Sequence, residues 1–557
     1  MTEYKLTDIS SLSQIPPFEK LESAVEGVEN GRVLVVHGDN NNFHAISPRC
    51  THYGAPLKLG VVAPGGRITC PWHGACFNIT TGEIEDAPAP NALHTFPVYE
   101  KNGAVYIRGE ESAIKAGQRD PNMSCSVTTA DRVVVVGGGS GSFGVVQTLR
   151  ELKFGGSITL ISKEPNLPLD RTKLSKALIT DKSAIEIRPA EWYKKASIDV
   201  VSDEVTGVDF ASKTVQTKSG QTYPYTKLVL ATGGTPRNLP LEGFQLGNIF
   251  LLRFITDAQA IVNALGDRKK KVVVIGSSFI GMEIGINLAG KGHEVSIVGQ
   301  EQAPLERIMG VQVGRIFQKN LEKSGVRFYL NTALSKATPS ANDPSKVGAV
   351  HLKDGTALET DLVVVGVGVR PATDFLRGNP AIKLEADGSL RTDESFKVTG
   401  LDDVYAIGDI ATYPYHGPGT DPGSGTPVRI EHWNVAQNAG RSVARSIVHS
   451  LSASGDQPHK PKAFIPVFWS ALGMQLRYCG NTTGGWDDLV LRGDPDNAKF
   501  AAFYCQGQTV VAVATMQMDP LMTKCAELMR RGRMPSKKEI EEGVDILKLD
   551  VPNRIAM

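Results

Sequence analysis

The stretch "CTHYGAPLKLGVVAPGGRITCPWHGACF" holds the residues best suited to chemistry in this chain. Cys50 and His52 are spaced Cys-x-His, Cys70 and His73 are spaced Cys-x-x-His, and 17 residues separate the two pairs. Thiolates and imidazoles are metal donors, so a metal centre is the first reading. Structural zinc prefers Cys-x2–4-Cys and His-x3–5-His pairs, which this interleaved order fits poorly. A disulfide framework fits no better. Of 7 cysteines in 557 residues, Cys125, Cys479, Cys505 and Cys525 stand alone, and Cys76 has no motif partner.

Other elements must position this cluster and give it a role. A chain of this length splits into several domains. Residues 1–110 read as short strands broken by turns, a small antiparallel β unit, and residues 111–130 lose apolar periodicity and read as a linker. At Asp131 the pattern becomes "DRVVVVGGGSGSFGVVQTLRELKFGGSITLISKE": buried strand, glycine turn, helix and second strand, a βαβ unit. Gly137, Gly139 and Ser142 occupy its G-x-G-x-x-[G/S] positions, where a pyrophosphate can approach a helix N-terminus. Glu164, ending the second strand, is placed to accept from a ribose hydroxyl. A further copy follows 139 residues on, with Gly276, Ser278 and Gly281 in the equivalent positions. Its second strand ends at "VSIVGQEQ", where Glu301 would repel a 2′-phosphate and no arginine stands, so NADH is favoured over NADPH. Two more strand-and-turn signals are "YTKLVLATGGTPR", with Thr232 and Gly233, and "LDDVYAIGDIA", with Asp409.

Net charge is +1, from 60 basic and 59 acidic residues, so neither nucleic acid nor an anionic membrane is indicated as partner. Small molecules or another protein are the expected partners, and an oligomer is compatible with the sequence. No apolar window reaches 18 residues, and the start "MTEYKLTDISSLSQIPPFEK" is polar. A cytoplasmic location is therefore expected, with mitochondrial association left open.

These pieces, in this order over about residues 131–460, resemble the flavin-dependent pyridine-nucleotide reductases with two dinucleotide-binding folds. The resemblance implies FAD as cofactor, with Asp409 on the ribityl chain. "LPLDRTKLSK" is similar to the family stretch that brings an arginine to the flavin pyrophosphate and a lysine to its ring, which implies Arg171 and Lys176. The family pairs that lysine with a glutamate, here Glu283 of "FIGME". "ISKEPNLPLDRTKLSKAL" lacks the redox Cys-x4-Cys of disulfide reductases, so the flavin needs another electron outlet.

The opening cluster closely resembles Rieske domains, in which two cysteines hold one iron of a [2Fe–2S] centre and two histidines the other. That implies Cys50, Cys70, His52 and His73 as ligands. The extra cysteines that bridge the ligand loops in respiratory Rieske proteins are replaced by Ala55 and Trp72, which points to a ferredoxin-type, low-potential centre. Histidines outside the cluster are scattered, so an oxygenase iron site is not expected.

Nearly the whole chain resembles apoptosis-inducing-factor-like proteins with an N-terminal Rieske domain. That resemblance implies that His432 and Trp433 lie near the flavin ring, with Phe468 and Trp469 shielding it. The implied fold class is multi-domain: a small all-β Rieske domain (1–110), a linker (111–130), two α/β Rossmann-like domains for FAD (131–252 and 376–460) and NAD (253–375), and a C-terminal α+β domain (461–557). The implied function is an NAD(P)H oxidoreductase passing electrons through FAD to the cluster and an unidentified acceptor. A redox-sensing or cell-death signalling flavoprotein, or the reductase partner of a separate oxygenase or biosynthetic enzyme, are the alternatives.

Overall fold

A computed structural model describes residues 2–123, 126–421, 423–452 and 464–553. Cys125, His459 and the boundary expected at 460/461 lie outside the described residues.

The N-terminal unit is all β. Lys20–Ala24, Arg32–His37, Phe43–Ile46 and Thr95–Phe96 form one antiparallel sheet, and Val61–Ala63, Arg67–Thr69, Cys76–Asn78 and Ile84–Asp86 form another. Val36, Ile46, Leu57, Ile68 and Phe77 fill the space around Cys50 and Cys70. The cluster loops therefore leave an apolar base. A third sheet pairs Thr2–Lys5 and Val98–Lys101 with Ala104–Gly109. Part of the expected linker is structured: Glu111–Ala116 is a helix whose Ile114 is buried against Val33, Val105 and Ile107. Arg119 then bonds the Thr81 carbonyl and the Glu83 carboxylate, both at 2.7 Å. One apolar anchor in six residues is too short a pattern to read as a helix from sequence.

"RVVVV" (Arg132–Val136) is the middle strand of a five-stranded parallel sheet, in the order Ile198–Ser202, Ser157–Ser162, Arg132–Val136, Lys227–Leu230, Val404–Ala406. Its β-branched run is buried on both faces, as central parallel strands require. The helix Ser140–Glu151 crosses the helix Trp433–Ser450 at glycine. A Cβ on Gly144 would lie 2.3 Å from the Gln437 carbonyl oxygen, and one on Gly440 2.2 Å from that of Gly141. Ser142, at the third motif position, is fully buried with its hydroxyl unpartnered. Gly144 thus serves helix against helix and does not replace the missing third glycine.

The second parallel sheet runs Ile249–Leu251, Leu362–Val365, Lys271–Ile275, Glu294–Val298, Arg327–Tyr329. Ile249–Leu251 precedes the boundary expected at 253, yet it pairs with Leu362–Val365 in this sheet. The C-terminal unit is a five-stranded antiparallel sheet beginning at Val467–Ala471, covered by the helix Leu521–Arg530. No helix among the described residues is long and apolar enough to cross a membrane.

Candidate functional site

The glycine turn after Arg132–Val136 opens a cavity of about 200 Å³ lined by Gly137, Gly139, Glu164, Arg171, Thr232, Gly233, Arg253 and Phe254. Gly137 has φ +122°, and a Cβ there would sit 2.2 Å from the Ala231 carbonyl oxygen, so only glycine lets the chain turn here. Glu164 and Arg171 form an ion pair across the cavity. Arg171 also donates to the Arg253 carbonyl at 2.9 Å, and the Arg253 guanidinium meets Asp409 at 3.0 Å. The expected residues Glu164, Arg171, Thr232, Gly233 and Asp409 therefore meet around one cradle. Bare backbone and two cations at a helix N-terminus suit a dinucleotide pyrophosphate. Arg253 carries no motif in the sequence, and only the fold shows its place.

Arg171 leads into the short helix Thr172–Ala177. Its Lys176 Nζ lies 2.9 Å from Glu283 Oε1, on the helix Phe279–Gly290 of the second βαβ unit. Glu283 is 3% exposed and also accepts from the Ser175 and Ser470 hydroxyls at 2.5 and 2.6 Å. A buried carboxylate is stable only when so satisfied, and this one ties three chain segments together. Beside it His432 caps the helix Trp433–Ser450, accepting from the Asn434 amide. Burial, aided by the Lys176 ammonium, pushes its pKa down to about 3, so the ring is neutral. Trp433 is half-buried at the first position of that helix.

In the second glycine turn Gly276 has φ +103°, and a Cβ on Gly281 would touch the Gly276 carbonyl oxygen at 2.0 Å. Here the third glycine does allow close packing. Ser278 donates to the Gly366 carbonyl at 3.1 Å. Glu301 accepts from the Ser277 hydroxyl at 3.1 Å, and the exposed Arg307 stands 3.7 Å from its other oxygen. No arginine stands at the strand end itself; Arg307 arrives from the following helix, six positions further along.

The Cys50/His52 and Cys70/His73 loops face each other. The His52 and His73 Nδ1 atoms are 3.0 Å apart, and both cysteines are buried. The adjacent Cys70 sulfur, then burial, push the Cys50 thiol well up. Burial pushes His52 down to about 4 and His73 well below the ordinary histidine range, leaving neutral imidazoles with lone pairs to donate. Among the described residues, no three His, Cys, Asp or Glu side chains gather as a site for one ion. The donors come as a sulfur pair and a nitrogen pair, which fits a two-iron cluster with a different pair on each iron.

This face looks into the rest of the molecule. The Trp469 ring is centred 4.4 Å from His73, 5.7 Å from His52 and 5.2 Å from His432. Phe468 stacks on Tyr478 at 4.4 Å. Asn434 donates to the His73 carbonyl at 3.0 Å, Thr523 to the Cys70 carbonyl at 3.2 Å, and Thr69 to Glu527 at 3.0 Å. Neither Asn434 nor Thr523 was an expected site residue. A larger cavity, about 800 Å³ between Tyr413, Tyr415, Arg445 and Met534, contains none of the expected site residues.

Known proteins share the domains of this chain. Residues 131–440 match the pyridine nucleotide-disulphide oxidoreductase family, more than half of the chain. The chain belongs to that family. Residues 6–97 match the Rieske [2Fe–2S] domain and residues 467–549 the reductase C-terminal domain. The chain is 36% identical to human apoptosis-inducing factor 3 over 92% of its own length and 82% of that protein's. It is 31% identical to monodehydroascorbate reductase 3 of Arabidopsis thaliana, over 69% and 88% of the two chains. Among solved structures, the covalent putidaredoxin reductase–putidaredoxin complex matches 76% of this chain and 98% of its own, with TM-score 0.67 and 26% identity. This member of the family is an NAD(P)H flavoprotein oxidoreductase that carries a Rieske domain.

Proposed function

We propose that the chain takes hydride from NADH and delivers electrons singly, through its own Rieske domain, to an acceptor outside the molecule. When bound, FAD accepts a hydride and gives up electrons one at a time, and the [2Fe–2S] cluster takes one. The carrying observation is Trp469, packed between His73 and His432. Its ring links the proposed cluster ligand to a residue beside the proposed flavin ring by adjacent aromatic contacts.

In this reading Gly137, Gly139, Ser142, Glu164, Arg171, Thr232, Gly233 and Asp409 hold FAD, and Lys176, oriented by Glu283, places an ammonium at the flavin ring where negative charge builds up. Gly276, Ser278, Gly281 and Glu301 hold the nicotinamide dinucleotide. The Glu301 carboxylate favours NADH, and Arg307 beside it opposes that preference. Cys50 and Cys70 hold one iron, His52 and His73 the other. Putidaredoxin reductase and putidaredoxin are separate proteins; here an iron–sulfur domain is part of the same chain and packs against the reductase.

Anaerobic stopped-flow mixing of the holoenzyme with NADH tests this. Flavin bleaching should precede cluster bleaching, and His52→Ala should abolish the Rieske EPR signal while leaving the flavin spectrum. A cluster that NADH never reduces would refute the scheme.

A further inference from the structure

The residue following the first histidine ligand connects both halves of the proposed electron path. The Tyr53 ring stacks on His52, with centroids 3.9 Å apart and planes at 15°, and meets His73 edge-on at 5.5 Å. Its hydroxyl crosses to the reductase and donates to Asp170 Oδ2 at 2.9 Å. Asp170 immediately precedes Arg171, and its other oxygen accepts from the Thr172 amide and hydroxyl at 3.1 and 2.6 Å. From the helix that follows, Lys173 lies 5.8 Å above the Tyr53 ring, and Lys176 pairs with Glu283 one turn further on.

We infer that Tyr53 is a positioning residue that latches the cluster-ligand loop to the FAD-binding loop through Asp170, fixing both the His52 ring and the gap electrons must cross. The inference rests on the electron path proposed above. Stacking holds the imidazole plane, and the phenol–carboxylate bond holds that plane against the helix carrying Lys176. A charge-assisted bond between two domains is directional, so at this loop it fixes a geometry that the bonds of Asn434, Thr523 and Glu527 elsewhere on the contact do not set. Thr172, bonded to the same carboxylate, keeps Asp170 in place whether or not Tyr53 is there. Loss of the latch should therefore leave the FAD cradle intact. The sequence shows Tyr53 only as the residue after His52, and nothing in it indicates a partner 117 positions away.

The test uses holoenzyme with Tyr53→Phe, which keeps the stacking ring, and Asp170→Asn, whose amide oxygen still accepts from Thr172 while its NH2 can donate to the Tyr53 hydroxyl oxygen in place of the bond that hydroxyl now donates. Hydrogen exchange should rise at least tenfold in peptides 50–57 and 170–177 of Tyr53→Phe and stay near wild type in Asp170→Asn. In stopped flow, Tyr53→Phe should bleach its flavin with NADH at the wild-type rate and its cluster at least tenfold more slowly. Unchanged exchange in both peptides overturns the latch, as does a rise confined to one of them, and an unchanged cluster rate overturns its positioning role. A wild-type cluster that NADH does not reduce would instead refute the electron path, and the exchange data would still decide the latch.

Discussion

The ring of Trp469 is centred 4.4 Å from that of His73, closer than any other aromatic ring of the C-terminal unit among the described residues. Trp469 begins on a strand of that unit, pairing with Arg477, and ends against a loop of the N-terminal one. Trp469→Phe should slow cluster reduction by NADH several-fold, and Trp469→Ala more than tenfold, with flavin reduction unchanged in both. Removing a buried tryptophan costs about 3–5 kcal/mol, so the phenylalanine variant is the cleaner probe. Equal cluster rates in all three proteins would remove Trp469 from the path.

Lys176→Met leaves the Glu283 carboxylate buried among hydroxyls without its counter-charge. Lys176 keeps partial contact with solvent, so the loss should fall below that of a fully buried pair broken on one side, to about 2–3 kcal/mol. Urea unfolding should show it, and Lys176→Met/Glu283→Gln should recover most of it. A double variant no more stable than the single one would mean that the methionine's packing, not the orphaned charge, sets the cost.

His432 makes stability fall as pH drops. Its folded pKa of about 3 lies below the ordinary 6.5. Above pH 6.5 both states are neutral and the histidine has no effect. Below it the unfolded chain binds a proton that the folded chain refuses until about pH 3. The loss approaches about 1.4 kcal/mol per pH unit. His432→Asn keeps an N-cap acceptor and should show a shallower decline in unfolding free energy between pH 6.5 and 5. Parallel curves would place the His432 proton elsewhere.

Glu301→Gln should raise kcat/KM for NADPH at least fivefold, because it removes a charge that repels the 2′-phosphate and frees Arg307 to meet it. Adding Arg307→Ala should cancel the gain. Steady-state kinetics with both nucleotides decide this, and no change in the NADPH:NADH ratio would place the ribose elsewhere.

Periodicity and glycine turns made the two parallel sheets legible, because "RVVVV" and "KVVVI" are buried on both faces and each turn needs residues that only glycine supplies. The Cys50/His52 and Cys70/His73 spacing was legible because donors on paired loops are close in sequence. Arg253, Asn434 and Tyr53 were not. Each acts through a partner more than a hundred residues away, and an arginine, asparagine or tyrosine carries no mark of such a partner. Arg307 was missed for a related reason: a helix, not a strand end, delivers it to Glu301. The helix at Glu111–Ala116 was hidden because a single buried isoleucine anchors it.

The close approach of Gly144 to Gln437, and of Gly440 to Gly141, also bears on how the molecule comes apart. The helix behind the first glycine turn touches, backbone on backbone, the helix whose Asn434 and Arg441 grip the His73 and Ile84 carbonyls. Neither helix can loosen without the other, which makes them one cooperative unit. Calorimetry should therefore find flavin release and Rieske-domain dissociation in the same transition.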